Sequence, residues 1–162
     1  MTVLQDSAIA RELGYGNLTV EPINEEEQLQ PNSLDIRLGK ELYISSEDSV
    51  INSEDSFTFK PNEFYLGHSV ETIHLPDYLC AQLTGRSTVG RMGLLVHATA
   101  GWIDSGFNGE LTFELYNLSQ SEVEVPVGER IAQLIFFETE PVSREYNGQY
   151  SGQEGITRPG EF

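Results

Sequence analysis

Gly109-Glu110-Leu111-Thr112-Phe113-Glu114-Leu115-Tyr116-Asn117 alternates apolar and polar side chains. A strand turns successive side chains to opposite faces. Leu111, Phe113 and Leu115 are therefore predicted to face a core, and Thr112, Glu114 and Tyr116 to face away from it. The same alternation recurs at Leu18/Val20, Leu34/Ile36/Leu38, Leu42/Ile44, Phe57/Phe59 and Val123/Val125/Val127. Turn residues separate these runs: Gly39-Lys40, Lys60-Pro61-Asn62, Leu75-Pro76-Asp77, Ser105-Gly106, Asn108-Gly109 and Gly128-Glu129. Many short strands with regular turns predict an all-β (mainly β) sandwich or barrel. A single short helix is predicted over Asp6 to Gly14, with Asp6 as N-cap, Ile9 and Leu13 on one face, and Gly14 as the stop. Glu25-Glu26-Glu27 and Ser45 to Ser56 read as surface loops. The last stretch, Tyr146 to Phe162, is rich in Gly, Gln and Ser and cannot pack a core. It is either a frayed end or a flexible tail that orders over a ligand.

A length of 162 residues is that of one domain, taken as 1–162. Nine Lys plus Arg against 26 Asp plus Glu give a net charge of −17. A phosphate-backbone binder needs clustered cations, so nucleic acid and anionic membrane surfaces are excluded as partners. No apolar run approaches the ~20 residues of a membrane span. Met1-Thr2-Val3-Leu4-Gln5-Asp6 has neither the basic start nor the apolar core of a signal peptide, so a cytoplasmic location is expected. The lone Cys80 excludes an internal disulfide and a Cys-rich zinc site, and reads as a small core residue. Low Lys with abundant Asp and Glu is a surface that suits high salt, which screens self-repulsion; a halophilic source is expected.

Gly85-Arg86-Ser87-Thr88-Val89-Gly90-Arg91 has glycines spaced as in a phosphate loop but lacks the Lys-Ser/Thr ending. Ser87, His97 and Asp104 lack the context of a hydrolase triad. His68, His74 and His97 lack metal-ligand spacing. Two of only seven arginines, Arg86 and Arg91, nevertheless flank a Ser-Thr pair and a glycine. Arginines fork onto anion oxygens and glycines admit close backbone approach, so an anionic ligand and a pair of surface salt bridges both fit. Trp102-Ile103-Asp104-Ser105-Gly106-Phe107 is an aromatic-flanked turn with one carboxylate. Glu114 is either a solvent-facing glutamate or a carboxylate lining a cleft, able to carry protons.

Five motifs and a tail, in this order and spacing, resemble the dCTP deaminase family, which shares its fold with trimeric dUTPases. They are Gln30-Pro31-Asn32-Ser33-Leu34-Asp35-Ile36-Arg37-Leu38, the 85–91 segment, His97 to Phe107, Gly109 to Asn117, Gly128-Glu129-Arg130-Ile131-Ala132-Gln133-Leu134, and Gly148 to Gln153. The resemblance implies a distorted dUTPase-like β-barrel of the β-clip type, a homotrimer with sites between subunits, and zinc-independent hydrolysis of dCTP to dUTP and ammonia. Neither the His-x-Glu nor the Pro-Cys-x-x-Cys of zinc deaminases is present. Mg²⁺ would accompany the triphosphate, with no protein side chain as ligand. Some family members go on to dUMP and pyrophosphate, and dTTP is a common feedback inhibitor.

By position, the resemblance makes Glu114 the catalytic proton carrier between water, N3 and the leaving amine. Ser87 and the carbonyl of Ala98 would hold the water, and Arg91 would polarise the site and keep Glu114 usable. Arg86, Ser87, Thr88, Val89, Gly90 and Arg91 would cradle triphosphate and base. Asp104 would hold the 3′-hydroxyl. The Thr112-Phe113-Glu114 edge would read the pyrimidine, Thr112 and Phe113 by backbone alone. Gln133, Tyr146 and Gln153 would touch the nucleotide. His97 reads as structural and Trp102 as a packing residue. The family's usual tail Lys is replaced by Gln149, which shifts triphosphate binding toward Mg²⁺ or Arg86.

Three functions stay open. One is a dCTP deaminase, the single-step form slightly preferred over the dUMP-forming one. The second is a dUTPase, in which Asp104 would activate water at the α-phosphate. The third is a nucleotide-sensing module without turnover. The Ser87, Arg91 and Glu114 set favours the first.

Overall fold

The alternation around Phe113 is realised in full. In the computed structural model, which describes residues 2–148 and 150–158, Leu111, Phe113 and Leu115 are buried, and Thr112, Glu114 and Tyr116 lie half-buried on the other face. In chain order the elements are β1 (Thr2–Val3), α1 (Asp6–Tyr15), β2 (Thr19–Glu21), α2 (Glu25–Gln28), β3 (Leu29–Gln30), β4 (Ser33–Ile44), β5 (Ser49–Asn52) and β6 (Ser56–Phe59). There follow β7 (Phe64–His74), β8 (Leu79–Gly85), α3 (Ser87–Arg91), β9 (Leu94–Val96), β10 (Trp102–Ile103), β11 (Asn108–Asn117), β12 (Val123–Pro126) and β13 (Arg130–Glu138).

The main sheet runs β10-β8-β13-β4-β7-β11-β9, with β1, β2, β3 and β5 pairing off this path, and it curls into a half-barrel. Strands β6 and β12 form a separate pair. Every named strand pairing is antiparallel. Leu34, Ile36, Leu38 and Leu42 of β4 meet Phe113, Leu115 and Phe136 in the core, all without solvent exposure. Each such side chain contributes about 1.5–3 kcal/mol by leaving water. Cys80 is buried, as its apolar surroundings suggested.

Four local expectations shift. The helix α1 is preceded by Gln5 as N-cap, and it ends at Gly16 (φ 73°), whose N–H reaches the carbonyls of Glu12 and Leu13. Gly16, not Gly14, supplies the left-handed residue that a helix stop needs. Glu25–Gln28 is one helical turn, and Ser49–Asn52 pairs with β4 as a strand, so neither acidic stretch is wholly loop. Gly39-Lys40 is no turn. The strand runs through it, with a register shift between Leu38 and Leu42 opposite β7. A Cβ on Gly39 would stand 2.4 Å from the His68 ring, so this glycine admits the imidazole against the strand. Asn108-Gly109 likewise opens β11 instead of turning the chain.

Candidate active site

Strand β11 supplies the functional edge. Its polar face carries Thr112 and Glu114 into a cavity of about 410 Å³, the size of an ordinary small-molecule site. The loop after β9 adds His97 and Ala100, the turn after β10 adds Asp104, and the C-terminal segment adds Tyr146, Tyr150, Gln153 and Thr157.

Glu114 is held from the loop. The Thr99 N–H donates to Oε2 (2.8 Å), and the Thr99 hydroxyl lies 3.1 and 2.9 Å from Oε1 and Oε2. The Glu114 N–H in turn donates to His97 Nδ1 (3.0 Å). That bond leaves the proton of a neutral imidazole on Nε2, which stands 3.9 Å from Glu114 Oε2. Burial pushes His97 below its ordinary value of 6.5, against the opposing pull of Glu114 and of the Ala100 carbonyl. A neutral imidazole thus backs a carboxylate that is fixed in direction and still 26% exposed. Such a group can accept a proton from water and return it elsewhere.

Asp104 is exposed and lines this cavity and a neighbouring one of about 320 Å³. Tyr146 packs its ring on Phe107 (6.1 Å between centroids, tilted 41°), and its N–H donates to the Ser105 carbonyl (2.9 Å). The Gln153 side-chain amide donates to the Glu110 carbonyl.

A family model described as dCTP deaminase-like matches residues 3–139. The chain belongs to the dCTP deaminase-like family. It is 38% identical over 172 residues to a protein of Sulfurihydrogenibium named dCTP deaminase, dUMP-forming, covering 96% of this chain and 94% of that one. It is 38% identical over 178 residues to a Haloarcula marismortui protein named dCTP deaminase (94% and 91% covered). It is 37% identical over 178 residues to a dUMP-forming one of Halobacterium salinarum (94% and 91%). Among solved structures, the 2′-deoxycytidine 5′-triphosphate deaminase of Agrobacterium tumefaciens superposes with a TM-score of 0.72 at 22% identity. The match covers 83% of this chain and 47% of that chain, so this chain spans about half its length. The native EIAV dUTPase superposes at 0.54 with 19% identity, covering 82% and 97%. Both likenesses bear on the fold.

This deaminase-family chain divides the residues that its sequence suggested into two groups. Glu114, Thr112, Asp104, Tyr146 and Gln153 share the cavity. Phe113 turns its ring into the core with no exposure, leaving its backbone alone at the edge. Ala98 is exposed and off the cavity wall, whereas Ala100 lies on it.

Arg86, Ser87, Thr88, Val89, Gly90 and Arg91 do not line the cavity among the described residues. Ser87, Thr88, Gly90 and Arg91 are exposed on α3, and Val89 is buried beneath them. Arg86 faces inward: Nε lies 3.0 Å from Asp35 Oδ2 and a terminal N–H donates to the Arg130 carbonyl (2.8 Å). Burial lifts Asp35 above the ordinary carboxylate value against the pull of Arg86 and Arg130. Gln133 sits with this second group, opposite Asp35 and Thr84 in register, and accepts from the Ser33 hydroxyl (3.4 Å). Gln149 lies outside the described residues.

Thr99 gives no signal of its own in the sequence, and His97, which reads as structural, holds the Glu114 backbone and also lines the cavity. Both occur inside the recognised His97 to Phe107 motif. No residue pattern there reveals that the loop folds back onto the carboxylate of β11.

Among the described residues, no group of three His, Cys, Asp or Glu side chains is placed to hold a metal ion. Among the described residues, no helix is long and apolar enough to cross a membrane.

Proposed function

We propose that this chain hydrolyses dCTP twice in one site: dCTP and water give dUTP and ammonia, and dUTP and water give dUMP and pyrophosphate. The reading rests on two carboxylates, Glu114 and Asp104, lining one cavity. Each hydrolysis needs its own water activated. Glu114, aimed by Thr99 and His97, takes a proton from the water attacking C4 and passes protons to N3 and the departing amine. Asp104 activates the water that attacks the α-phosphate. The Sulfurihydrogenibium and Halobacterium relatives, both named dUMP-forming, favour this two-step outcome over the single-step one. Mg²⁺ enters as part of the substrate, on the phosphate oxygens.

Ser87, Thr88, Gly90 and Arg91 of α3 are exposed and do not line the cavity that holds Glu114 of their own chain. We infer that this group serves the cavity of a neighbouring copy, in a homotrimer with sites between subunits. Ser87 and Arg91 then complete the water and base site, and Arg86 stiffens the helix from behind through Asp35. Inhibition by dTTP belongs to the same reading: a 5-methyl group would press on the loop 97–101 that orients Glu114.

The test is product analysis with dCTP and with dUTP, separating dCTP, dUTP and dUMP by anion exchange. The expected result is dUMP without accumulating dUTP, no ammonia from Glu114→Gln, and dUTP accumulation from Asp104→Asn. Accumulation of dUTP by the wild type would make Asp104 a sugar ligand and the enzyme single-step, the form named for the Haloarcula relative. Consumption of dUTP with dCTP untouched would make it a dUTPase.

A further inference from the structure

The polar face of β11 bears a second carboxylate, Glu110, which does not line the cavity. It receives the C-terminal segment instead. Strand β9 covers β11 only at Leu115 to Asn117. The edge below is taken by the tail: Gly152 N–H donates to the Asn108 carbonyl (2.7 Å), and Glu110 N–H to the Gln153 carbonyl (3.0 Å). Gly155 N–H then donates to Glu110 Oε2 (2.7 Å), and Thr157 N–H to Thr112 Oγ1 (3.1 Å). Further on, Arg158 lies over the Tyr43 ring at 4.6 Å and 3.3 Å from Asp48.

The same Glu110 oxygen is 2.9 Å from His68 Nδ1. His68 Nε2 accepts the Glu41 N–H (3.4 Å), so Nδ1 is the donor toward Glu110. The imidazole cannot drift, because it lies against Gly39. One carboxylate oxygen thus joins a ring fixed on β7 to a backbone amide of the tail. The contact is close all along: a Cβ on Gly109 would stand 2.9 Å from the backbone N and O of Gln153.

We propose that Glu110, aimed by His68, is a positioning residue that seats the tail on β11 so that Tyr150, Gln153 and Thr157 wall the cavity. This rests on the cavity being the nucleotide site. Glu110 touches no reacting atom; it sets the register of residues that do the enclosing. A tail with no acceptor at Gly155 would leave the site loosely closed, which weakens substrate binding more than it slows chemistry.

Two readouts separate this proposal from the proposed reaction. The first is amide hydrogen exchange of Gln153 to Thr157 in the nucleotide-free protein, with β13 amides as the folding control. Glu110→Ala should speed the tail amides by about tenfold while β13 is unchanged. Glu110→Gln, which keeps the shape and one acceptor oxygen for two donors, should fall between. The second is steady-state kinetics with dCTP, where KM should rise about tenfold and kcat should change by less than about threefold. Unchanged tail exchange in both variants overturns the anchoring. Faster exchange with unchanged KM overturns the positioning role. If the wild type does not turn over dCTP, the proposed reaction falls, and the exchange arm still decides the anchoring.

Discussion

Mixing two dead variants tests whether one site draws on two chains. Ser87 is exposed on α3, and Glu114 lines the cavity with no residue of α3 on its wall. Ser87→Ala removes a water ligand from one group; Glu114→Gln removes the proton carrier from the other. Each homotrimer alone should lose about 10²–10⁴-fold of ammonia release. On the proposed two-chain site, each cavity of a mixed trimer takes its α3 from a neighbour. A site is intact only where the Glu114 of a Ser87→Ala subunit meets the α3 of a Glu114→Gln subunit. In random assembly at equal amounts that chance is one half times one half, so about a quarter of wild-type activity should return in this closed-ring geometry. Recovery should follow f(1 − f) as the mixing fraction f varies. The assay is ammonia release from dCTP after joint unfolding and refolding, with native mass spectrometry to count mixed trimers. Mixed trimers with no activity above the sum of the parents would refute the two-chain site. Activity in either parent near that of the wild type would refute the roles of the residues themselves.

Three further outcomes follow from the geometry. His97 is held neutral by burial, its folded pKa lying below the ordinary 6.5; the folded state therefore binds fewer protons than the unfolded one as pH falls below that value. Stability from this group is present above about pH 6.5 and is lost as pH falls toward the folded value. In His97→Asn, which can still accept the Glu114 N–H, urea midpoints should fall less steeply over that range; a parallel fall in both proteins would count against it. Leu115→Ala empties a site with no solvent exposure and should cost about 2–5 kcal/mol in chemical denaturation, a loss near zero meaning that β11 is not anchored as described. With a net charge of −17, melting temperature should climb by more than about 5 °C between ~0.1 and ~2 M KCl, and a flat profile would remove the expectation of a salt-adapted surface.

Strand content was legible because alternation is a local signal. Leu111, Phe113 and Leu115 declare their face through their own spacing, and the core of β4 does the same through Leu34, Ile36 and Leu38. Turns were less legible, since a glycine has several uses. Gly39 was read as a turn and instead makes room for the His68 ring. Gly109 was read as a turn and instead gives the tail backbone its footing. In both, the glycine answers a partner distant in sequence, which no local pattern reports. The C-terminal segment illustrates the opposite limit. It is nearly free of aliphatics, yet Tyr146 packs against the core, and the described part beyond it lies on the open edge of β11, bonded to a carboxylate 45 residues upstream.

The site itself was legible as residue types and not as an assembly. Scarcity made the arginines around α3 conspicuous, and half-burial on a strand made Glu114 a candidate. What the sequence could not give is that Arg86 turns inward to Asp35 while Ser87, Thr88 and Arg91 turn outward. Arg86 is paired with Asp35, so Arg91 is the one cation of the exposed set, and on a chain of charge −17 its place beside two hydroxyls with no ion pair among the described residues is hard to account for as bare surface. It is economical if a second copy presents its cavity to that face. The two-chain reading also fits the way Glu114 is aimed within its own chain, by Thr99 and His97: a proton carrier preset in one fold would need from association only the groups that hold water and anion against it.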